Sequence, residues 1–93
     1  MTLLSLHTPN DIQLELAQFI RAQRKQMKWS RDELAQRSTV PAPTIKRFEL
    51  TGEISLRQLL LLWQCVDDLE RVAALCKGAA AKKPMSIEEV LNS

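Results

Sequence analysis

Two short segments decide the fold: KWSRDELA at residues 28–35 and VPAPTIKRFE at residues 40–49. In the first, Ser30 and Glu33 have the spacing of a capping box. In that motif the Ser hydroxyl accepts an N–H of the first helical turn, while the Glu carboxylate reaches back to the cap. The segment therefore predicts a short helix over about residues 30–37.

The second segment predicts another helix directly after a short turn. Pro41 and Pro43 disfavour a helical conformation in the residue before each of them, so the first helix should end near residue 39. The chain then restarts as a helix over residues 42–50, with its apolar side chains inward and with Lys46 and Arg47 outward. Helix, short turn and helix, with two outward cations, is the plan of a helix-turn-helix DNA-binding unit.

Over residues 21–52 the chain resembles the Cro/phage-repressor (Xre-type) helix-turn-helix family. The matching positions are Trp29, Ser30, Glu33, Leu34, Ala35, Val40, Thr44, Ile45, Phe48, Glu49 and Gly52. Two departures stand out. Thr39 occupies the place of the usual turn glycine, and Pro41, Ala42 and Pro43 replace the polar residues that usually open the recognition helix.

The resemblance implies a protein that reads double-stranded DNA as an operator. The expected base contacts come from Lys46, Arg47, Ala42 and Pro43, and the expected phosphate contacts from Arg31, Ser30, Thr44, Arg24 and Lys28. Arg47 suits a bidentate pair to guanine O6 and N7. Ala42 and Pro43 can only meet thymine methyl groups or let the backbone come close, so we expect few direct base contacts and a larger role for DNA shape.

Several of these residues also have a purely structural interpretation. In the family, the arginine at the place of Arg24 pairs with the glutamate at the place of Glu49, so a structural Arg24–Glu49 pair is expected as readily as a phosphate contact, and the same arginine can orient the helix and touch DNA together. Ser30 is a helix cap first, and Thr44 can simply support its helix. Trp29 is expected to fill the core at the helix junction. Lys46 and Arg47 could lie on a merely solvated face.

Composition and charge agree with a small helical domain. The chain has 93 residues, only two glycines and a net charge of +2. Five cations fall between Glu15 and Asp32 with no acid among them: Arg21, Arg24, Lys25, Lys28 and Arg31. The positive field therefore belongs to the half of the chain that carries the two motif helices, as phosphate binding requires.

The pattern predicts an all-α, five-helix, lambda-repressor-like domain. Residues 1–9 form an N-terminal arm, residues 10–77 the helix-turn-helix domain with its dimerisation helices, and residues 78–93 a linker and a short C-terminal helix or tail. The flanking helices are expected at about residues 10–27, 56–66 and 69–77. Thr8 or Asn10 can cap the first, and Ser55 the fourth.

A homodimer is expected because helix-turn-helix units gain affinity by spanning two half-sites. The candidate surface is an apolar stripe in the second half of the chain: Leu59, Leu62, Trp63, Val66, Leu69, Val72, Leu75 and Cys76. The alternative for these side chains is the core of the single domain.

A second, narrower resemblance concerns HipB-type antitoxins. It rests on His7-Thr8-Pro9 leading into a helix with Arg21 and Arg24, and on the ending Pro84-Met85-Ser86-Ile87. This resemblance implies an autorepressor of a toxin–antitoxin operon that also binds a HipA-like kinase toxin. The alternatives are a stand-alone phage- or plasmid-type repressor, or a protein-interaction module that no longer reads DNA.

Other classes of protein are not indicated. The sequence has no nucleophile–base pair, no metal-ligand spacing and no phosphate-binding loop, so neither an enzyme, a metal nor a cofactor is expected. Cys65 and Cys76 lie in apolar helical stretches and are expected to be buried, reduced thiols. No signal peptide or membrane span is evident, which predicts a bacterial cytoplasmic, nucleoid-associated protein.

Overall fold

The structure, a computed structural model, describes residues 7–82, with side chains for residues 7–77. In this range the chain forms five α-helices and no strand: α1 Pro9–Gln26, α2 Arg31–Ser38, α3 Ala42–Thr51, α4 Leu56–Val66 and α5 Leu69–Lys82. The predicted all-α class is confirmed for these residues. Of the predicted arm, residues 1–9, and the predicted linker and tail, residues 78–93, the segments 1–6 and 83–93 lie outside the described range; Pro9 is already the first residue of α1.

One boundary differs clearly from the prediction. The fifth helix was expected to end at residue 77, before a linker, but α5 continues through Gly78 to Lys82. No proline lies between Gly78 and Lys82, and the three alanines after Gly78 have the highest helix propensity of any residue. The prediction that a linker begins at residue 78 is therefore wrong for residues 78–82.

Local hydrogen bonds fix both ends of α1. At its start, Thr8 and Asp11 form a reciprocal capping box, with the Asp11 N–H donating to Thr8 Oγ1 at 3.1 Å. At its end, the Trp29 N–H donates to the Arg24 carbonyl at 3.1 Å, and Lys28 takes a left-handed conformation with φ of 62°. This is the Schellman pattern, which sends the chain directly into the motif helices.

The cap of α2 is only half of the predicted box. Ser30 Oγ accepts the Glu33 N–H at 3.0 Å as expected. The Glu33 carboxylate does not return to the cap; it accepts from Arg37 Nε at 3.0 Å, one turn further along α2. In α4 the predicted cap is present, with Ser55 Oγ accepting the Gln58 N–H at 3.1 Å.

The turn between α2 and α3 contains a strained residue. Thr39 has φ of 67°, the left-handed region that a β-branched residue rarely adopts. Its N–H donates to the Ala35 carbonyl at 2.8 Å, and buried Ser38 accepts the Val40 N–H at 3.1 Å. Surrounding hydrogen bonds thus hold the turn in the conformation for which the resembled family usually employs glycine.

Thr39→Gly is therefore expected to stabilise the domain by about 0.5–1 kcal/mol, because glycine adopts this conformation without steric cost. Thr44→Gly, a change of the same chemistry inside right-handed α3, should destabilise it by about 0.3 kcal/mol from helix propensity. Urea unfolding of the three proteins measures both effects. A Thr39→Gly variant no more stable than the parent would contradict the account of strain at this turn.

The core lies where α1, α2, α3 and α4 meet. Nine buried apolar side chains form it: Ala17, Ile20, Leu34, Val40, Ile45, Phe48, Leu62, Trp63 and Val66. Phe19 of α1 stacks on the Trp63 ring with centroids 5.0 Å apart. The core places the start of α2 beside the start of α3 and leaves the outer side of α3 in solvent.

The core contains residues that were expected elsewhere. Leu62 and Val66 are at most 1% exposed, so they fill the interior of the chain and leave almost no surface for a second copy. Trp63 is 9% exposed; it belongs to the core and also lines an apolar groove between α1, α4 and α5. The predicted interface role is therefore wrong for Leu62 and Val66. Amphipathic periodicity shows that a helix face is covered, but the same pattern serves a core and an interface.

Candidate nucleic-acid interface

A buried ion pair joins α1 to α3. Arg24 Nε donates to Glu49 Oε2 at 2.8 Å, and Arg24 Nη2 donates to Glu49 Oε1 at 3.1 Å. The Glu49 side chain is 1% exposed and the Arg24 side chain 8%. The remaining terminal nitrogen, Nη1, donates to the Trp29 carbonyl at 2.8 Å. The predicted structural pair is present.

The same geometry bears on the predicted phosphate contact of Arg24. Each of its three guanidinium nitrogens already donates to a protein oxygen, and the side chain is only 8% exposed. Nη1 and Nη2 each carry a second N–H, however, so Arg24 keeps two donors while it holds Glu49. The structural role of Arg24 is therefore present, and its phosphate contact stays a prediction.

Sequence reasoning missed a third member of this cluster. Arg31, the first residue of α2, donates from Nε to Glu49 Oε1 at 3.0 Å. Its side chain is 35% exposed, so it bridges the buried carboxylate and the surface. The two residues are 18 positions apart, and only the packing of α2 against α3 brings them together. One carboxylate thus fixes two arginines and positions the outer one.

A shallow groove opens between the starts of α2 and α3. Its lining residues come from both helices and from the ion-pair cluster: Arg24, Ser30, Arg31, Asp32, Ala42, Pro43 and Lys46. The first turn of α2 has backbone N–H groups without helical acceptors, and its dipole favours an anion. Arg31 and Lys46 add positive charge, while Asp32 opposes it. The groove combines features that suit a phosphate oxygen.

Lys46 and Arg47 lie on the outer side of α3, as predicted. Both are exposed, whereas Ile45 and Phe48 on the opposite side are at most 1% exposed. Arg47 Nη2 donates to Glu53 Oε1 at 2.5 Å, a contact that the sequence did not indicate. The outward direction of both cations is therefore confirmed, although Arg47 already has a partner.

A second groove runs along the other side of α3. It is lined by Pro43, Thr44, Arg47, Glu53, Ile54, Ser55 and Gln58. Pro43 lines both grooves, so the first turn of α3 projects between them as a ridge. Ala42 and Thr44 on this turn are half-buried, and Pro43 is exposed. Small side chains here let the α3 backbone approach a ligand surface closely.

Two further predicted residues lie at the margin of this region. Lys28 is exposed at the left-handed end of α1. Trp29 is half-buried and packs against the core, and the Arg37 guanidinium lies 4.3 Å above its ring centroid. Because the core covers part of the indole and Arg37 covers a ring face, the predicted role of Trp29 as a core residue fits better than base stacking.

The cysteines match their prediction only in part. Cys65 is half-buried, and burial raises the pKa of its thiol, with Arg37 opposing the shift. Cys76 is exposed, so the expectation that it is buried is wrong; it lies on the face of α5 turned away from the core. Within the described residues, no group of three or more His, Cys, Asp or Glu side chains could hold a metal ion.

Comparisons with known proteins found no match to the chain among family models, curated proteins or solved structures. Among residues 7–82, none of the helices has the length and apolar character needed to cross a membrane.

Proposed function

We propose that this chain is a sequence-specific DNA-binding transcriptional repressor in which α2 and α3 act as a helix-turn-helix. The observation that carries the proposal is the ridge of α3. It presents Lys46 and Arg47 outward beside the groove that holds the start of α2 and Arg31. Behind it, the buried Arg24–Glu49 pair ties α3 to α1. This arrangement gives a rigid cationic helix flanked by anion-binding groups.

The residues divide into two roles on this proposal. Arg31, Lys28 and the N–H groups after Ser30 contact phosphates, which supplies affinity without sequence information. Lys46 and Arg47 reach base edges when α3 enters the major groove. At the tip of the ridge, Ala42 and Pro43 offer no side-chain hydrogen bond, and Thr44 offers one hydroxyl to a phosphate. Specificity then comes from a few cationic contacts and from the shape of the groove.

A DNA-binding experiment with the purified protein tests this proposal directly. Fluorescence anisotropy would compare a duplex from just upstream of its own gene with a shuffled duplex of the same composition, over a salt series. Tighter binding to the upstream duplex, with log Kd rising steeply with log salt, supports a sequence-reading autorepressor. Equal binding to both duplexes would overturn sequence-specific repression.

A homodimer forms part of the proposal, because two copies can contact two half-sites one helical turn apart. Of the interface residues predicted from sequence, five remain at least partly exposed: Leu59, Leu69, Val72, Leu75 and Cys76. Leu56 is 71% exposed and Leu75 is 78% exposed. Both line an apolar groove formed by α1, α4 and α5. We place the second copy against this surface.

Leu75→Glu is expected to shift the protein to a monomer, because a charge at the interface must be desolvated. Sedimentation velocity at several concentrations measures the change. Leu50→Glu is the matched control, since Leu50 is 67% exposed on α3 and should leave the association state unaltered. A Leu75→Glu variant that sediments like the parent would exclude this surface as the interface.

The narrower biological role stays a prediction from resemblance. An antitoxin that also binds a HipA-like kinase toxin is one version, and a stand-alone repressor is the other. Residues 84–87, which carry part of that resemblance, lie outside the described range. The exposed leucines of α4 and α5 favour a protein partner in either version, and would be the main feature of an interaction module without DNA binding. The absence of an enzymatic activity and a cytoplasmic location are likewise parts of the proposal.

A further inference from the structure

The contact between Arg47 and Glu53 changes what α3 presents to a ligand. Arg47 Nη2 lies 2.5 Å from Glu53 Oε1, and the side chains are 68% and 61% exposed. A single exposed ion pair contributes little to folding stability. Its larger effect is electrostatic, because the carboxylate offsets the guanidinium charge on the surface that we propose for DNA.

The backbone holds Glu53 in reach of Arg47. Thr51 Oγ1 donates to the Arg47 carbonyl at 2.8 Å and accepts the Glu53 N–H at 3.1 Å. Between them, Gly52 is left-handed with φ of 82°, and its carbonyl accepts from Gln13 Nε2 at 3.2 Å. A Cβ at Gly52 would lie 3.1 Å from Gln13 atoms, so the turn sits tightly against α1. Glu53 is therefore placed by the fold.

Among the described side chains, Lys46 and Arg31 have no exposed carboxylate as a partner, unlike Arg47. Lys46 makes no ion pair within residues 7–77. Arg31 does pair with Glu49, but that carboxylate is buried and shared with Arg24. Among the side chains of residues 7–77, Arg47 is the only cation of α3 that faces an exposed carboxylate. A phosphate that approaches Arg47 consequently also meets the negative charge of Glu53.

We infer that Glu53 is a specificity-determining residue that suppresses contacts between Arg47 and phosphate. The inference rests on the proposed DNA-binding function. Specificity is a difference between two affinities, so weakening the unspecific complex raises it as effectively as strengthening the specific one. Arg47 exchanges Glu53 for a base when the base offers two acceptors in line, as guanine O6 and N7 do. A single phosphate oxygen accepts only one of these hydrogen bonds, so it replaces the Glu53 carboxylate less favourably.

The test compares Glu53→Gln with the parent on the upstream and the shuffled duplexes, by anisotropy over a salt series. Affinity for the shuffled duplex should rise about three- to tenfold, with a salt slope steeper by about 0.9 as one more phosphate is contacted. The upstream duplex should gain less, so the ratio of the two affinities falls. Glu53→Asp, which keeps the charge, should restore most of that ratio.

Glu70→Gln is the charge-matched control, because Glu70 is exposed on α5 and has no ion pair within the described side chains. Thermal unfolding of each variant separates binding from stability. If Glu53→Gln and Glu70→Gln bind the shuffled duplex equally, the role of Glu53 is overturned while the DNA-binding function stands. If the parent binds neither duplex, the function fails and this inference fails with it.

Discussion

Glu49→Gln is expected to destabilise the domain by about 3–5 kcal/mol, the cost of removing one partner of a buried ion pair. The Glu49 side chain is 1% exposed and accepts three N–H groups from Arg24 and Arg31. Without its charge, Arg24 stays buried beside a neutral amide. Since small domains have a total stability of about 5–15 kcal/mol, a loss of this size leaves many molecules unfolded near body temperature.

Two controls make this result specific. Glu33→Gln removes the exposed carboxylate that pairs with Arg37, and should cost less than about 1 kcal/mol. The double variant Arg24→Met with Glu49→Leu replaces the pair by apolar side chains, and should recover much of the stability. Urea denaturation gives all four free energies. A loss below about 1 kcal/mol in Glu49→Gln would show that the pair is not essential.

Arg47→Ala is expected to weaken binding to the upstream duplex by about 5- to 150-fold, the value of one bidentate base contact. Binding to the shuffled duplex should fall by a smaller factor, because Arg47 contacts no base there and the loss comes only from the Glu53 carboxylate left without its partner. Arg31→Ala should behave differently. On the proposed function it removes a phosphate contact, so both duplexes should lose affinity by a similar factor and the salt slope should fall by about one.

The comparison of these two variants tests the division between base and phosphate contacts. Both need a thermal unfolding control, since Arg31 also donates to buried Glu49. Arg47→Gln keeps hydrogen-bonding ability without the charge and should recover only part of the loss. If Arg47→Ala weakens both duplexes equally, Arg47 contacts phosphate and the assignment of base reading to it is wrong.

Much of the fold could be predicted because it depends on local signals. Caps at Thr8, Ser30 and Ser55 start helices wherever the following residues allow them, so the starts of α1, α2 and α4 follow from the sequence. The end of α5 was mispredicted because a single local signal, Gly78, was given too much weight. Gly78 suggests a stop, but its cost of about 1 kcal/mol in a helix is small beside the favourable propensity of the alanines that follow.

For the candidate site, the sequence predicted which side chains face outward but not which residues they contact. Apolar spacing shows which side of α3 is buried, and therefore that Lys46 and Arg47 face outward. It does not show which carboxylates they meet. The Arg31–Glu49 and Arg47–Glu53 contacts depend on how α2 packs on α3 and on the turn after α3. Nor does it distinguish core from interface, which explains the wrong assignment of Leu62 and Val66.

The most direct test of the account maps the DNA-binding face itself. Two-dimensional NMR of the ¹⁵N-labelled protein would be recorded as the upstream duplex is added at low salt. We predict the largest chemical-shift changes at residues 30–31 and 42–47, with few changes around Leu56 and Leu75. Changes concentrated on α4 and α5, or none at all, would contradict the assignment of α3 as the helix that reads DNA.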